Sequence, residues 1–239
     1  MTASFTARSV VLDIEGTISA TGFVVSELYP YSRARFGSLL TDRAAEPEVS
    51  RAVRQIRELI GEPDADSALL ERTLCRWLDE DRKAAPLKTL QGIIWSEGFA
   101  RGDLVSDFYP DVIPALRRWH AAGIRLISYS SGSVAAQLAW YRSTPDGDLL
   151  PLLDGLYDTE NAGPKQSPGS YRAIAADLAA APGSLLYLSD RRAELDAARA
   201  AGWSTLGVRR PGERYYGEGV GDHPETASFD RIGIGRGRA

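Results

Sequence analysis

Residues 10–17 read Val10-Val11-Leu12-Asp13-Ile14-Glu15-Gly16-Thr17, an apolar run of strand type that ends in two acids and a Gly-Thr turn. In α/β proteins, ligands bind at the carboxyl ends of the strands. Once the chain turns at Gly16, the carboxylates of Asp13 and Glu15 can both reach the space beyond the sheet edge. A bound divalent cation would explain two acids there, since it relieves their repulsion. The alternative is that Asp13 caps a turn and Glu15 lies in solvent.

Composition indicates a globular protein with a sizeable core, because the chain has 239 residues, 44% of them hydrophobic and 25% charged. The net charge of −4 gives no overall attraction to nucleic acid or anionic membranes, so neither is expected as a partner. The single cysteine, Cys75, excludes an intrachain disulfide and a cysteine-based zinc site. No apolar stretch approaches the length that spans a bilayer, and we expect a cytoplasmic monomer.

The pattern of apolar residues changes along the chain. Residues 25–95 show no convincing strand and carry apolar residues at helical spacing, as at Val53, Ile56 and Ile60, which predicts a helical insertion. Farther on, helices are predicted at 114–123, 134–142, 169–180 and 193–201, and strands at 124–129, 184–188, 204–208 and, as a candidate final strand, 228–230. This alternation predicts an α/β fold whose parallel sheet has right-handed crossovers.

Four polar elements should meet at one edge of that sheet, because the carboxyl ends of parallel strands share one crevice. They are Asp13 with Glu15, Ser130 with Ser131, Lys165, and Ser189 with Asp190. Oxygen ligands from Asp13, Glu15 and Asp190 suit Mg²⁺, and Ser130, Lys165 and nearby backbone N–H groups would bind an anion such as phosphate. Each element alone has a simpler interpretation as a cap or a solvated side chain, so their joint occurrence carries the prediction.

With phosphate and Mg²⁺ present, the chemistry of phosphoryl transfer assigns the roles. Asp13 would attack phosphorus and form an aspartyl phosphate. Glu15 would protonate the leaving oxygen and later deprotonate the hydrolytic water. Lys165 would hold the charges of Asp13 and the phosphoryl group together, and Asp190 would anchor the metal. Glu194, one turn into the following helix, is expected to be solvated or to interact with the helix dipole rather than to bind the metal, although it could contact the residues that surround the metal ligands.

Short motifs spread over nearly the whole chain carry a family resemblance. They are Asp13-Ile14-Glu15-Gly16-Thr17, Phe23-Val24, Tyr29-Pro30-Tyr31, Gln91-Gly92-Ile93-Ile94-Trp95, Tyr109-Pro110-Asp111-Val112, Tyr129-Ser130-Ser131-Gly132-Ser133, Gly163-Pro164-Lys165, Leu188-Ser189-Asp190, Glu194-Leu195-Asp196-Ala197-Ala198 and Arg210-Pro211-Gly212. The set resembles the haloacid dehalogenase-type phosphatases, and more narrowly the enolase-phosphatase family of methionine salvage.

The resemblance implies a Rossmann-like parallel-sheet core (residues 1–24 and 96–239) with an inserted all-helical cap domain (residues 25–95) and Mg²⁺ as cofactor. The implied enzyme is an acireductone synthase, a phosphoric monoester hydrolase. It enolises 2,3-diketo-5-methylthiopentyl 1-phosphate and then removes the phosphate to give the acireductone. By position, the metal ligands are Asp13, Glu15 and Asp190, the substrate-binding residues are Ser130, Ser131 and Lys165, and the catalytic residues are Asp13, Glu15 and Lys165.

Two segments depart from the family pattern. Ile18-Ser19-Ala20-Thr21-Gly22 replaces a run of threonines and a Pro-Ile-Ser-like sequence, and residues 166–169 lack an expected acid. A related phosphatase that acts on another small phosphate ester in a specialised pathway is therefore an alternative. Hydrolytic dehalogenation needs neither a metal nor an acid for a halide leaving group, so Glu15 and Asp190 argue against it. Asp13 and Lys165 argue against a catalytically silent binding module of the same fold.

Overall fold

The computed structural model describes residues 3–82 and 84–235. By its internal contacts the chain divides into two compact units. The first comprises Met1–Gly22 and Ser106–Ala239, and the second comprises Phe23–Val105. Within the described residues the strands lie in the first unit, and the second is helical.

The strands, in chain order, are β1 (Ala3–Thr6), β2 (Ser9–Leu12), β3 (Arg125–Tyr129), β4 (Leu153–Tyr157), β5 (Leu185–Ser189), β6 (Ser204–Val208), β7 (Glu225–Thr226) and β8 (Ile232–Gly235). Six of them form a parallel sheet in the order β4-β3-β2-β5-β6-β7, and β1 pairs in parallel with β8. The expected α/β fold with a parallel-sheet core is confirmed.

The helices are α1 (Thr21–Phe23), α2 (Tyr29–Arg33), α3 (Phe36–Asp42), α4 (Pro47–Ile60), α5 (Ser67–Asp79), α6 (Ala85–Arg101), α7 (Val112–Ala121), α8 (Val134–Arg142), α9 (Pro168–Asp177) and α10 (Arg192–Ala200). A π-helical turn spans Val24–Leu28, and 3₁₀ turns span Leu150–Leu152, Pro182–Ser184, Tyr216–Glu218 and Phe229–Arg231. None of the helices in the described part of the chain is long and apolar enough to cross a membrane.

One predicted strand is wrong. Residues 228–230 do not form a strand, because the Ser228 side chain accepts a hydrogen bond from Asp230 N–H at 3.2 Å and starts a 3₁₀ turn. The strand follows at Ile232–Gly235, and it pairs with β1 rather than with the six-stranded sheet.

The helical unit has a hydrophobic core of its own. Phe36, Ile56, Leu74, Trp77 and Leu90 are fully buried within it. The unit spans Phe23–Val105, against the expected block of residues 25–95, and α6 continues past Trp95 to Arg101. Lys83 of that block, and residues 1, 2 and 236–239 of the expected core, lie outside the described residues.

Strand β2 lies at the centre of the sheet, and all of its residues are buried. Its last residue, Leu12, is in register with Ser128 of β3 on one side and with Leu188 of β5 on the other. The chain builds the sheet outward from β2 in both directions, and such a switch point in strand order opens a crevice at the carboxyl ends of the strands. Asp13 follows directly from β2, and Ser130 and Asp190 follow directly from the two neighbouring strands.

Candidate active site

The turn after β2, residues 13–19, is called the acidic turn here, and its two carboxylates lie in different surroundings. Asp13 is buried, whereas Glu15 is exposed. Asp13 N–H donates to Leu188 O of β5 at 3.0 Å, which continues the sheet by one residue beyond β2. The turn closes where Gly16 N–H donates to Ser19 O at 2.7 Å. Asp13 is therefore held by the sheet, while the Glu15 side chain faces solvent.

The acidic turn lies against the residue that follows β5. A Cβ atom built on Gly16 would come within 2.8 Å of Asp190 Cγ, and Gly16 also has a φ of 75°, so this position requires glycine. Asp190 N–H donates to Thr17 Oγ1 at 3.0 Å. Thr17 Oγ1 in turn donates to Asp13 Oδ2 over a longer distance of 3.4 Å. Thr17 thus links the two acids.

Lys165 forms a buried ion pair with Asp13. Its Nζ contacts Asp13 Oδ1 and lies 2.8 Å from Glu194 Oε2, and only 5% of the lysine is exposed. Tyr171 Oη donates to the backbone O of Lys165 at 2.8 Å, which fixes the loop after β4. Lys165 is therefore held between two carboxylates, unlike a solvated loop lysine.

Burial and neighbouring charges shift the pKa values of these groups. Burial raises the pKa of Asp13 to about 6, against the opposing effect of Lys165. Burial is the main cause that raises the pKa of Asp190 to about 8, and the charges of Asp13 and Glu194 add to the rise. Although burial favours the neutral amine, Asp13 and Glu194 raise the pKa of Lys165 above its usual value. Lys165 alone does not compensate the three buried acids.

One oxygen of the Asp190 carboxylate is a candidate ligand for a cation. Its Oδ1 is buried, and within the described residues no group forms a hydrogen bond with it. A buried polar atom without a partner costs free energy unless an ion or a water meets it. Carboxylate oxygens from Asp13 and Asp190 are ligands that Mg²⁺ prefers, and a cation beside them would lower both pKa values. The donor set therefore fits a divalent metal ion.

Comparison with known proteins identifies the family. The family model of haloacid dehalogenase-like hydrolases matches residues 7–202. Enolase-phosphatase E1 of Streptomyces avermitilis is 69% identical over 239 residues, which cover 100% of both chains. The chain belongs to the enolase-phosphatase family.

Further relatives agree with this membership. Enolase-phosphatase E1 of Frankia alni is 52% identical over 228 residues, or 95% of this chain and 96% of that one. The crystal structure of the UTR4 protein of Saccharomyces cerevisiae matches with a TM-score of 0.77 and 29% identity, covering 94% of this chain and 99% of that one. The predicted family is confirmed, and the chain is an enzyme, a phosphatase of the haloacid dehalogenase-like type. Phosphatases of this type generally use a divalent metal.

In this member of the enolase-phosphatase family, the two serines after β3 differ in exposure, as Asp13 and Glu15 do. Ser130 is buried and its Oγ accepts the N–H of Gly132 at 3.1 Å, whereas Ser131 is exposed. Within the described residues no hydrogen bond joins either serine to Asp13 or Lys165. Only their position at the neighbouring strand end brings them to the site.

The beginning of α8 is occupied by a side chain that the sequence analysis did not single out. Asp158, which follows β4, is buried, and its Oδ2 accepts the N–H of Val134 at 2.8 Å. Its Oδ1 accepts the N–H groups of Glu160 and Asn161, each at 2.9 Å. Asp158 therefore orders the loop that leads to Lys165, and the Val134 N–H already has a partner within the chain.

The interpretation of Glu194 as a solvated acid is wrong. Glu194 is 4% exposed, and its Oε2 accepts hydrogen bonds from Tyr187 Oη at 2.8 Å and Ser189 Oγ at 2.9 Å. Burial would favour the neutral acid, but Lys165 lowers the pKa of Glu194. Glu194 is thus a second carboxylate partner of Lys165 beside Asp13.

Proposed function

We propose that this phosphatase enolises 2,3-diketo-5-methylthiopentyl 1-phosphate and then removes its phosphate to give the acireductone. The observation that carries the proposal is the buried Asp13–Lys165 ion pair, beside an Asp190 oxygen without a partner in the described part of the chain. A nucleophilic carboxylate, a fixed cation and a metal-binding acid at one sheet edge suit phosphoryl transfer. The substrate is inferred from the 69% identity to a curated enolase-phosphatase.

Asp13 is the proposed nucleophile. Its carboxylate attacks phosphorus, and a bond from the carboxylate oxygen to phosphorus forms as the ester bond between phosphorus and oxygen breaks. Lys165 stays charged because two carboxylates raise its pKa, so a fixed positive charge lies beside Asp13 and would attract the incoming phosphate. The enolisation moves one proton from carbon to oxygen within the substrate and needs no co-reactant.

Glu15 is the proposed acid and base. It gives a proton to the leaving oxygen and later takes one from the water that hydrolyses the aspartyl phosphate. Once it has given up its proton, Glu15 is the carboxylate that the second step needs, and its exposure leaves it open to the attacking water. Of the two roles predicted for Glu15, exposure supports acid–base catalysis more than metal coordination.

We propose Mg²⁺ as the metal, held by Asp13 and Asp190, with Glu15 on the same turn as a third candidate. When bound, Mg²⁺ neutralises charge on the phosphate oxygens. Ser130 and Ser131 would bind other oxygens of the same phosphate from the neighbouring strand end.

The helical unit, Phe23–Val105, is the proposed cap. It is inserted in the chain directly after the acidic turn, and its own hydrophobic core lets it act as a separate body. In this role it would recognise the organic part of the substrate and exclude water while the aspartyl phosphate exists.

A substrate panel tests the proposed function. Phosphate release is measured for the diketone phosphate, for other small metabolite phosphates and for p-nitrophenyl phosphate, each with Mg²⁺ and with a chelator. We expect kcat/KM for the diketone phosphate to exceed that of the other esters by about 100-fold or more. A higher kcat/KM for another metabolite would overturn the substrate assignment. An enol absorbance that appears with the Asp13→Asn variant would show that enolisation comes before attack on phosphorus.

A further inference from the structure

Two motifs that carry the family resemblance have no role in the proposed chemistry, and the structure brings them together. They are Tyr109-Pro110-Asp111-Val112 and Arg210-Pro211-Gly212. Arg210 is buried, and its Nη1 donates to both carboxylate oxygens of Asp111, at 3.0 and 2.8 Å. The guanidinium carbon lies 4.3 Å from the centre of the Tyr109 ring. The two segments therefore form one packed contact within the first unit.

A tight turn after β6 presents Arg210 and Glu213 at its two ends. Glu213 N–H donates to Arg210 O at 3.2 Å, with Pro211 and Gly212 between them. Gly212 has a φ of 90°, and proline followed by such a glycine is the pattern of a type II turn. The turn fixes the direction in which the Glu213 side chain leaves the backbone.

The Glu213 carboxylate bridges two distant segments of the chain. Its Oε1 accepts a hydrogen bond from Tyr109 Oη at 2.6 Å, and its two oxygens lie 3.2 and 3.3 Å from Thr21 N. Thr21 precedes Gly22, where the chain leaves the first unit, and Tyr109 lies shortly after Ser106, where it returns. A single side chain thus holds both connections to the helical unit.

The same turn also supports the acidic turn of the active site. Arg210 Nε donates to the backbone O of Thr17 at 3.2 Å, and the hydroxyl of Thr17 contacts Asp13 and the N–H of Asp190. Tyr109 N–H donates to Ile18 O at 3.0 Å, so the two connections also bind each other directly. Arg210 and the Tyr109 backbone make these contacts, so the acidic turn keeps them when the Glu213 carboxylate is removed.

We propose that Glu213 is a positioning residue that ties the outgoing and returning connections of the helical unit together and so limits their motion. Hydrogen bonds to a carboxylate are stronger than those between neutral groups, so one side chain can hold two backbones. The effect of Glu213 on turnover rests on the proposed function, because only a substrate that the helical unit recognises should respond to loosened connections.

Amide hydrogen exchange tests the positioning directly. In the Glu213→Ala variant we expect exchange to be about tenfold faster at Thr21 and in residues 104–110, since charge-assisted hydrogen bonds are lost. Tyr109→Phe removes one contact, keeps the ring under Arg210 and should give a smaller increase. The matched control is Glu218→Ala, an exposed acid of the same segment, which should change neither region. Unchanged exchange at both connections, or an equal increase throughout the six-stranded sheet, would overturn the proposal.

Kinetics separate positioning from a loss of fold. We expect Glu213→Ala to lower kcat/KM for the diketone phosphate about tenfold, and that for p-nitrophenyl phosphate less than about twofold. Equal losses with both esters would overturn the link to the helical unit. If the wild-type enzyme does not accept the diketone phosphate, the proposed function fails, while the exchange at Thr21 still decides the role of Glu213.

Discussion

Two regions of this enzyme pair acids with bases in opposite surroundings. The buried cluster (Asp13, Lys165, Asp190 and Glu194) lies at the carboxyl edge of the parallel sheet, and every member is less than 10% exposed. The surface cluster (Arg43, Glu46 and Glu97) lies in the helical unit, where Arg43 Nε is 2.7 Å from Glu46 Oε1 and the side chains are 31%, 46% and 42% exposed.

The two clusters differ in the access of water to their charges rather than in the distances between their charged groups. Water screens the surface cluster, and ion pairs of this kind contribute little to stability. In the buried cluster each charge has lost its hydration, so each depends on its partners, and removing one leaves the others uncompensated. Groups with shifted pKa values in such surroundings are typical of catalytic sites. The substitutions that follow should therefore have very different effects in the two clusters.

Asp13→Asn should have the largest effect, a loss of turnover of about 10⁴-fold or more, because an amide is not a useful nucleophile toward phosphorus. Phosphate release by the purified variant measures it, and circular dichroism should show an unchanged fold. Turnover close to that of the wild type would rule out an aspartyl phosphate on this residue.

Glu15→Gln should lower kcat by about 10³-fold with little change in KM, because the amide keeps the shape but cannot transfer a proton. Glu15 is exposed, unlike the acids of the buried cluster, so this variant shows whether exposure alone makes a carboxylate dispensable. An unchanged kcat in steady-state assays would remove Glu15 from acid–base catalysis.

Lys165→Ala should lower kcat/KM by an amount that corresponds to about 3 kcal/mol of lost transition-state stabilisation. This is the scale for deleting one preorganised electrostatic contact to a transition state. Its matched control is Lys88→Ala, an exposed lysine of α6, which should leave both constants within about twofold of wild type. If only KM rises in the Lys165 variant, the lysine recruits substrate and does not stabilise the transition state.

Without the metal, the buried acids should make the stability of the protein depend on pH. Without a cation the folded-state pKa of Asp190 is about 8, against an ordinary 3.8, so the folded state binds more protons between these pH values. The contribution of Asp190 to stability therefore falls as pH rises through this window. A bound cation favours the ionised acid and offsets this loss.

Thermal unfolding with Mg²⁺ and with a chelator, at pH 5.5 and pH 8, measures the effect. We expect saturating Mg²⁺ to raise Tm by about 5 °C at pH 8 and by less at pH 5.5. Equal shifts at the two pH values would contradict metal binding by the acids of the buried cluster.

Arg43→Ala should have the smallest effect, a fall in Tm of less than about 3 °C with activity within twofold of wild type, because water screens the surface cluster. Differential scanning fluorimetry measures the shift. A fall larger than about 3 °C would show that the surface cluster carries more of the stability than its exposure indicates.

Local pattern and one topological rule were enough to place Asp13, Ser130 and Asp190. Each follows an apolar strand, and parallel strands bring their carboxyl ends to one edge of the sheet. The helical character of residues 25–95 was also predictable, because apolar spacing over several turns is a strong local pattern. These features depend on residues close together in the chain.

Features that depend on distant residues were missed. Glu194 resembles a first-turn acid in solvent, although Leu195 and Ala198 on α10 are buried beside it and Lys165 reaches it from another loop. The strand β1 has only four residues, and its partner β8 lies at the other end of the described chain. Neither burial of Glu194 nor pairing of β1 follows from local periodicity, since both require knowing which segments meet.

The pairing of β2 also determines when Asp13, the proposed nucleophile, can be placed during synthesis. Ser9 of β2 is in register with Arg125 and Leu185, so neither neighbouring strand exists until the whole helical unit has been translated. At ribosomal speed this delay is on the order of ten seconds, long compared with the folding of small helical bundles. The helical unit can therefore fold on the ribosome first, while the apolar strand that carries Asp13 waits unpaired and most exposed to chaperones and aggregation.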